Sequence, residues 1–237
     1  MKVLVIGASG ATGRLVVKQL LEQHIETKIV IRETASFPED MREDRIIEIV
    51  KGNIDEFSTQ RMRDLISDCN AVVCCLGHNI NVKGMFGKPR LLVYNAVKKV
   101  TEVLKTTKEK KKFILMSTTA YTHRKGEEKD TLGEKIIFRL LHVLLPPHRD
   151  NVLSGNLLAE TMWDSDAFEW VAVRPDSLFD EEEKSAYQIC AQKLRSPIFN
   201  AGKTSRVNVA HFMVNLLVHN SLWQSWVFKM PVIYNIV

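Results

Sequence analysis

Three glycines near the start of the chain have the spacing of a phosphate-binding turn. Gly7, Gly10 and Gly13 follow the apolar run 3–6 and precede a stretch whose apolar residues recur at helical spacing. In a strand–turn–helix unit, one glycine permits the tight turn, one lets the backbone approach a pyrophosphate, and one lets the helix pack on the strand. The helix N-terminus then offers unpaired N–H groups to the phosphates. The pattern predicts a dinucleotide site, although a glycine-rich turn without a ligand has the same spacing. The residues expected to contact the cofactor here are Gly7, Ser9, Gly10, Ala11, Thr12 and Gly13.

An arginine at the end of the second predicted strand indicates which dinucleotide binds. That strand spans residues 27–31, and Arg32 follows it directly. An acidic residue at this point binds the ribose 2′-hydroxyl of NAD, whereas a guanidinium pairs with the 2′-phosphate of NADP. Glu33 is the competing acidic residue, but it comes after the strand end and we expect it to point elsewhere. The sequence therefore favours NADP(H) over NAD(H).

A tyrosine and a lysine have the spacing of a proton-donating pair. Tyr121 and Lys125 would share one helical face, on which a lysine lowers the pKa of a tyrosine that donates a proton. However, the pair follows Ser117 closely, and residues 126–130 are typical of a loop. We favour coincidence as the explanation, and Tyr121 remains a catalytic candidate beside it.

Histidines and cysteines are scattered along the chain without metal-ligand spacing. We therefore predict no metal site and expect the cysteines to be buried, reduced thiols. His78 and Asn79 follow the fourth predicted strand on the cofactor side, and His148 precedes a predicted helix cap at Asp150 or Asn151. His78, Asn79 and His148 are candidates for the substrate pocket, with solvated loop residues as the alternative.

Composition and charge bound the class of protein. The chain has 237 residues, of which 45% are hydrophobic and 26% charged, and its net charge is +5; this is ordinary for a soluble globular protein. The lysine-rich run 108–112 has no interleaved aromatic residues, so we expect no nucleic-acid partner. The longest apolar stretch, 136–145, is too short and too interrupted to span a membrane, and we expect no leader before the first strand. We expect a cytoplasmic protein with no membrane partner, either a monomer or a dimer.

Short apolar runs alternate with amphipathic helical stretches, which is typical of a Rossmann-type, doubly wound parallel sheet of the α/β class. We predict a single NAD(P)-binding domain with a small C-terminal elaboration on the substrate side. Its core would be about residues 1–120 and 151–175, and the substrate-side segments about 121–150 and 176–237. Further predicted strands are 46–50, 71–76, 113–116 and 170–173, and predicted helices are 57–68, 90–107, 150–163 and 209–219.

The segment 132–145 is apolar on more than one helical stripe. It could cover the substrate pocket, meet a partner or pack as core. We favour core packing or a pocket wall.

Taken together, these motifs resemble the atypical short-chain dehydrogenase/reductase family. The resemblance is strongest to its branch of biliverdin reductase B (NADPH flavin reductase) and bacterial NAD(P)H-binding relatives, and NmrA-like proteins are more distant. It covers nearly the whole chain and includes the glycine turn and Arg32. The other stretches that match in order and spacing are 52–55, 75–77, 117–119, 146–151, 173–175, 205–207 and 211–213.

The resemblance implies positions for the adenosine half of the cofactor. Asn53 would lie near the adenine, and Ile54 would flank its ring. Leu76 and Gly77 would line the path toward the nicotinamide.

It also implies positions at the reactive end. Ser117 and Thr118 would sit beside the nicotinamide, at the carboxyl edge where such sheets bind ligands, and both are catalytic candidates together with Tyr121. Arg174 and Pro175 would close the site on the far side.

The resemblance finally implies an NADPH-dependent oxidoreductase. Most short-chain dehydrogenases carry Tyr-x-x-x-Lys on the helix where this chain has Asn156 and Glu160, so that proton relay is missing at its expected place. Flavins, quinones and conjugated tetrapyrroles need mainly an oriented hydride, and solvent can supply the proton. We expect hydride transfer from nicotinamide to a small aromatic or conjugated acceptor. The alternative is a non-catalytic NADP(H)-binding redox sensor or regulator of the NmrA type.

Overall fold

Strands and helices alternate through the first half of the chain, as the apolar pattern predicts. The structure is a computed structural model, and it describes residues 1–78, 82–123, 125, 128–162 and 165–236. The strands are β1 (Lys2–Ile6), β2 (Glu26–Ile31), β3 (Ile47–Lys51), β4 (Ala71–Cys74), β5 (Lys111–Met116), β6 (Phe168–Pro175), β7 (Ser177–Phe179), β8 (Tyr187–Cys190), β9 (Lys203–Ser205) and β10 (Val232–Asn235). The helices are α1 (Ala11–Glu22), α2 (Glu39–Arg42), α3 (Thr59–Ser67), α4 (Val82–Phe86), α5 (Leu92–Leu104), α6 (Leu132–Leu144), α7 (Pro146–Asn156), α8 (Arg206–Val218) and α9 (Asn220–Trp226).

The main sheet has eight strands in the order β3-β2-β1-β4-β5-β6-β10-β8. Every pair is parallel except β10 with β8, which is antiparallel. The chain winds outward from β1 to β3 and then returns to place β4 on the other side of β1. Sheets of this topology bind ligands at the carboxyl ends of the strands where the direction reverses. The prediction of a doubly wound α/β fold is confirmed, and its binding crevice lies beyond β1 and β4.

Both faces of the sheet are covered by helices. Successive side chains of a strand point to opposite faces, so each buried strand packs against helices on both sides. Val3 and Val5 of β1 pack with buried residues of α1 and α8. Leu4 and Ile6 pack with buried residues of α3 and α5 on the other face. The strands therefore carry nearly continuous apolar runs, which is why the sequence pattern located them.

The C-terminal part of the chain extends the main sheet. β10 lies between β6 and β8 in the sheet, while β7 and β9 form a separate two-stranded pair. Val232 and Ile233 of β10 are fully buried. The proposed division into a core and substrate-side segments remains a prediction.

One helix begins earlier than its sequence pattern suggested. The predicted helix 150–163 starts at Pro146 as α7 and ends in a π-helical turn, Leu157–Thr161. Proline is favoured in the first turn of a helix because its missing N–H is not needed there. Asp150 is therefore an interior residue of α7, and the prediction that Asp150 or Asn151 caps this helix is wrong.

Helix α6 exposes much of the segment that we expected to be core or pocket wall. Its N-terminus is closed by a capping box in which Thr131 and Glu134 bond each other reciprocally. A helix that is apolar around most of its circumference can bury only the side that meets its neighbour. The expectation is therefore wrong for the outer side. The large apolar residues exposed on α6 are Leu132, Ile136, Leu140, Val143 and Leu144.

The turn between β1 and α1 is packed so tightly that only glycine fits at position 13. A methyl group on Gly13 would overlap the carbonyl oxygen of Gly7 and lie 2.9 Å from its carbonyl carbon. Gly7 itself has a φ of 83°, which L side chains rarely adopt, and a methyl group there would lie 2.8 Å from the backbone of Cys75. These contacts confirm that the glycines allow the tight turn and the close approach of helix to strand.

We predict that Gly13→Ala lowers the free energy of unfolding by about 1–3 kcal/mol, because the added methyl group overpacks the turn. In an ordinary helix interior the same substitution would raise stability by about 1 kcal/mol. Urea unfolding measures the change, with Gly77→Ala as the control, since a methyl group at Gly77 meets nothing within 4 Å. A stabilised Gly13→Ala variant would contradict the packing described here.

Candidate cofactor site

A pocket of about 1250 Å³ opens at the carboxyl ends of β1, β2 and β4, beside the glycine turn. It continues along the segment that joins β4 to α5, which forms one wall. Nine residues predicted from the sequence line it: Gly7, Ser9, Gly10, Arg32, Asn53, Ile54, Leu76, Gly77 and His78. Sequence reasoning missed the wall formed by residues such as Lys88, Arg90 and Asn95, because no motif marks residues 84–95 as ligand-facing. That these residues bind a cofactor stays a prediction.

The first turn of α1 is open toward this pocket. Gly10 is the residue before the helix, and no side chain caps the helix N-terminus. The first turn also has no acidic residue, so nothing in it repels an anion. Ala11 and Thr12 begin the helix beside Ser9, with Thr12 buried. Free backbone N–H groups next to glycine are what a pyrophosphate requires, so the residues present fit a dinucleotide.

Arg32 lies where the pocket meets a smaller hollow of about 620 Å³. Lys51, Ser58 and Arg61 also line this hollow, which together with Arg32 gives it three cationic side chains. Arg61 is held by its position 4.1 Å from the centroid of the Phe57 ring. Arg32 is exposed and makes no side-chain hydrogen bond or ion pair among the described residues. A free guanidinium among other cations suits a phosphate.

Two acidic residues share the same hollow. Glu33 lines it together with Arg32, so the expectation that Glu33 points elsewhere is wrong. Glu56 also lines it and accepts a hydrogen bond of 2.9 Å from the side-chain amide of Asn53. Asn53 lines both the hollow and the main pocket, whereas the buried Ile54 lines the main pocket. That these two residues flank an adenine stays a prediction.

Ser117 carries a buried hydroxyl that has no hydrogen-bond partner among the described residues. Its backbone N–H donates to the carbonyl of Val173 over 2.7 Å, which extends the pairing of β5 with β6 past the strand end. The neighbouring Thr118 hydroxyl accepts from the N–H of Ala120 and shapes the next turn. Both residues lie beyond the edge of the main pocket, at the end of β5. An unpaired buried hydroxyl is costly, and a ligand group would satisfy it.

Tyr121 lies in a bend outside any helix, so it does not form a helical pair with Lys125. Its side chain is 3% exposed and packs against α7, where a methyl group on Gly155 would lie 2.8 Å from the ring. Its catalytic role stays a prediction. At the family's usual position, Asn156 ends α7 and Glu160 is exposed in the π-helical turn.

Arg174 is fully buried and is bound to protein groups on every side. Its guanidinium donates two hydrogen bonds of 2.7 Å to Glu128 and others to the carbonyls of Tyr121 and Met230. Burial raises the pKa of the Glu128 carboxyl, but the bonds and charge of Arg174 outweigh this and hold it below its ordinary value. The guanidinium is therefore engaged within the protein, because a buried guanidinium needs its carboxylate. That Arg174 closes the cofactor site stays a prediction.

Pro175 follows Arg174 as the last residue of β6 and is buried. Its carbonyl accepts a hydrogen bond from the N–H of Thr119. Pro175 thus lies beside the strand end that carries Ser117, although it does not line the main pocket.

Asp150 joins three parts of the pocket region. Its fully buried carboxylate accepts from the N–H groups of Val93 and Tyr94, both over 2.8 Å, and so caps α5 rather than its own helix. It also lies 2.7 Å from Nε2 of His78, whose Nδ1 is 3.1 Å from the carbonyl of Gly84. The hydrogen bond to Asp150 raises the pKa of His78 above its ordinary value despite partial burial. Acceptors at both ring nitrogens favour the imidazolium.

The other two candidates for the substrate pocket have different outcomes. His148 is buried between α6 and α7, with its ring stacked 5.6 Å from that of Phe138, and burial lowers its pKa. It is therefore neither a solvated loop residue nor part of the main pocket. Asn79 lies outside the described residues.

The residues that could hold a metal ion are dispersed. Among the described residues, no three His, Cys, Asp or Glu side chains come close enough to one another to bind one. Over the same part of the chain, no helix is long and apolar enough to cross a membrane.

The chain belongs to the NAD(P)H-binding family, whose model matches residues 7–220. An uncharacterized chloroplastic protein of Arabidopsis thaliana is 30% identical over 76 residues, which is 32% of this chain and 27% of that protein. The match thus spans only about a quarter of that relative. This family is consistent with the uncapped helix and glycine turn described above.

Solved structures share the fold over nearly the whole chain. A short-chain dehydrogenase/reductase of Veillonella parvula, in complex with NADP, has a TM-score of 0.68 at 13% identity, covering 99% of this chain and 94% of that one. A candidate NADH-flavin reductase of Streptococcus pneumoniae has 0.68 at 16%, covering 100% of both. An anaerobillin reductase of Escherichia coli has 0.63 at 13%, covering 99% and 97%. At these identities the similarity shows the shared α/β fold and not a shared substrate.

We predict that Asp150→Asn lowers the free energy of unfolding by about 3 kcal/mol near pH 6, because it breaks a buried ion pair. Since folding raises the pKa of His78, the pair stabilises fully below the unfolded histidine pKa of about 6.5, and this contribution is lost as pH rises through the folded value. Urea unfolding across this pH range should show the loss in the wild type and not in the variant. Asp64→Asn on the exposed side of α3 is the control. An unchanged pH profile in Asp150→Asn would refute the pairing.

Proposed function

We propose that the protein is an NADPH-dependent reductase of a small aromatic or conjugated acceptor such as a flavin, a quinone or a linear tetrapyrrole. The observation that supports this most is one continuous pocket that is lined both by the glycine turn before an open helix N-terminus and by a free arginine. The pyrophosphate would lie at Gly7 to Thr12, and the 2′-phosphate beside Arg32. In this arrangement the adenine would lie beside Asn53 and Ile54, which both line the main pocket.

The reactive end of the cofactor would lie at the end of β5. The unpaired hydroxyl of Ser117 is a hydrogen-bonding group with no protein partner, and it is suited to hold the carboxamide of a nicotinamide in one orientation. Thr118 would support the neighbouring backbone through its bond to Ala120. When bound, NADPH supplies a hydride. The chain's own contribution is to orient the ring and to keep water from its reactive face.

The class of acceptor that we propose rests on the missing tyrosine proton donor on α7. Tyr121 is packed in the core and not on a helix with Lys125, and α7 has no tyrosine. A carbonyl substrate needs a proton delivered to the alkoxide as the hydride arrives. A flavin, quinone or tetrapyrrole spreads the added charge over a conjugated system, so solvent can deliver the proton that completes the two-electron reduction. We therefore favour such acceptors over simple ketones.

A non-catalytic NADP(H) sensor of the NmrA type is the second candidate. The same lack of a tyrosine on α7 supports it, since a sensor needs the dinucleotide pocket and no proton donor. Turnover separates the two candidates, because both bind the cofactor.

We predict that Arg32→Ala weakens NADPH binding by roughly 10- to 100-fold, the loss of one charge-assisted pair with the 2′-phosphate. NADH lacks that phosphate, so its affinity should change less than about threefold. Isothermal titration with both cofactors measures the difference. Arg63→Ala, which removes an exposed arginine of α3, controls for net charge. Equal losses for NADPH and NADH would reject the 2′-phosphate assignment.

Turnover should be measured as NADPH oxidation with FMN, a series of quinones and biliverdin. We predict oxidation with at least one acceptor, and a decrease of about tenfold in kcat/KM for Ser117→Ala, because one hydrogen bond is lost. The same variant should leave the unfolding of the free protein unchanged, since that hydroxyl has no protein partner. NADPH binding without oxidation by any acceptor would reject the reductase and favour the sensor. Loss of turnover in Tyr121→Phe with intact NADPH affinity would instead show that Tyr121 donates the proton.

A further inference from the structure

One side of α6 leaves large apolar side chains in solvent. At 3.6 residues per turn, these side chains fall within an arc of roughly 120° on the helix. Their exposed fractions are 76% for Leu132, 52% for Ile136, 55% for Leu140, 81% for Val143 and 65% for Leu144.

One residue from another segment continues the same surface. The Phe199 ring, 63% exposed, lies against the start of α6, where a methyl group on Gly133 would be 3.1 Å from it. With the five α6 residues it forms what we call the α6 face. This face contains six of the eleven large apolar side chains that are exposed in the described residues, whereas isolated exposed side chains would need no explanation.

The exposed charges on α6 itself have one sign. Lys135 and Arg139 are exposed on the helix beside the apolar arc. The carboxylates nearby in sequence are already used. Glu134 is buried in the capping box, and Asp130 forms an ion pair of 3.0 Å with Lys193. In the described part of 128–149 and 193–199, the exposed charges are therefore cationic.

The apolar side chains and the cations beside them favour an anionic lipid surface over a second copy of the chain as the partner. In a symmetric dimer built on the α6 face, Lys135 and Arg139 of both copies would approach one another with no exposed carboxylate to pair with them. An anionic lipid surface matches both properties, since its acyl region accepts the apolar side chains and its headgroups accept the cations.

We propose that the α6 face binds the surface of an anionic lipid bilayer, with α6 lying in the plane of the headgroups. The contact is peripheral, and no described helix needs to span the bilayer. It replaces the expectation of no membrane partner, which considered only apolar stretches long enough to cross. The proposal is independent of the proposed reductase function.

Vesicle flotation tests the proposal with the full chain. The protein should float with vesicles of phosphatidylcholine and phosphatidylglycerol, and not with phosphatidylcholine alone, and added salt should weaken binding. The double variant Ile136→Ser/Leu140→Ser should bind at least about tenfold more weakly, because two apolar side chains are lost. Lys135→Gln/Arg139→Gln should weaken binding and reduce its salt dependence. The matched control is Val218→Ser/Ile236→Ser, which removes exposed apolar residues elsewhere and should bind as the wild type does.

A site-specific probe supplies a second measurement if a serine variant folds poorly. In a Cys190→Ser background, Val143→Cys can carry an environment-sensitive fluorophore, since the other cysteines are buried. Its emission should shift to the blue with the mixed vesicles only.

Three results would overturn the proposal. The wild type could fail to float with the anionic vesicles, or the Ile136→Ser/Leu140→Ser variant could bind as well as the wild type while its unfolding midpoint is unchanged. Sedimentation velocity could instead show a dimer that this variant dissociates, without vesicle binding, and the α6 face would then be an interface between two copies of the chain.

Discussion

The close approach of α1 to β1 is the constraint on which the rest of the structure depends. Gly13 lets the helix backbone sit against the carbonyl of Gly7, and Gly7 lets the strand end pass the backbone of Cys75 after β4. These contacts place the open end of α1 between the two strands where the winding of the sheet reverses. A larger residue at either glycine would move the helix away from the crevice. The pocket is therefore a consequence of backbone packing, and the side chains only refine it.

A buried ion pair organises the segments around β6 and β10. Arg174 and Glu128 are both almost inaccessible to solvent, and neither charge would be tolerable without the other. Their pairing connects the segment after β5 to β6 and, through the carbonyl of Met230, to the approach to β10. Lys193 bonds its backbone N–H to the same carboxylate of Glu128. A single ion pair thus gathers three segments that local sequence preferences leave irregular.

Local patterns in the sequence were sufficient for six of the eight strands of the main sheet and for the glycine turn, but not for β8 and β10. Buried parallel strands are short apolar runs, and the glycine turn and Arg32 follow them at fixed distances, so each can be recognised within a few residues. Asp150 shows why the rest could not be read in this way. Its partners, Val93 and His78, are more than fifty residues away, and its local context suggested only a cap for its own helix.

The same reasoning explains the outcomes for Arg174 and α6. The resemblance supplied a position for Arg174 at a strand end, but the partner of its side chain lies on a loop with no recognisable motif. For α6, the periodicity shows that the helix is apolar and says nothing about which neighbours are present to cover it. Which elements pack against α6 depends on the whole fold and not on the sequence of the helix itself.

The position of Asp150 has a mechanical consequence. The carboxylate of Asp150, a residue of α7, caps the N-terminus of α5 and is hydrogen-bonded to the imidazole of His78, which follows β4. It therefore connects elements from both halves of the chain. If α7 moved away from α5, two backbone donors and an imidazolium would lose their acceptor at once inside the protein. Such a displacement is steeply unfavourable, so α7, α5 and the end of β4 should move as one rigid body. Any opening of the pocket must then come from the loops and not from separation of these two helices.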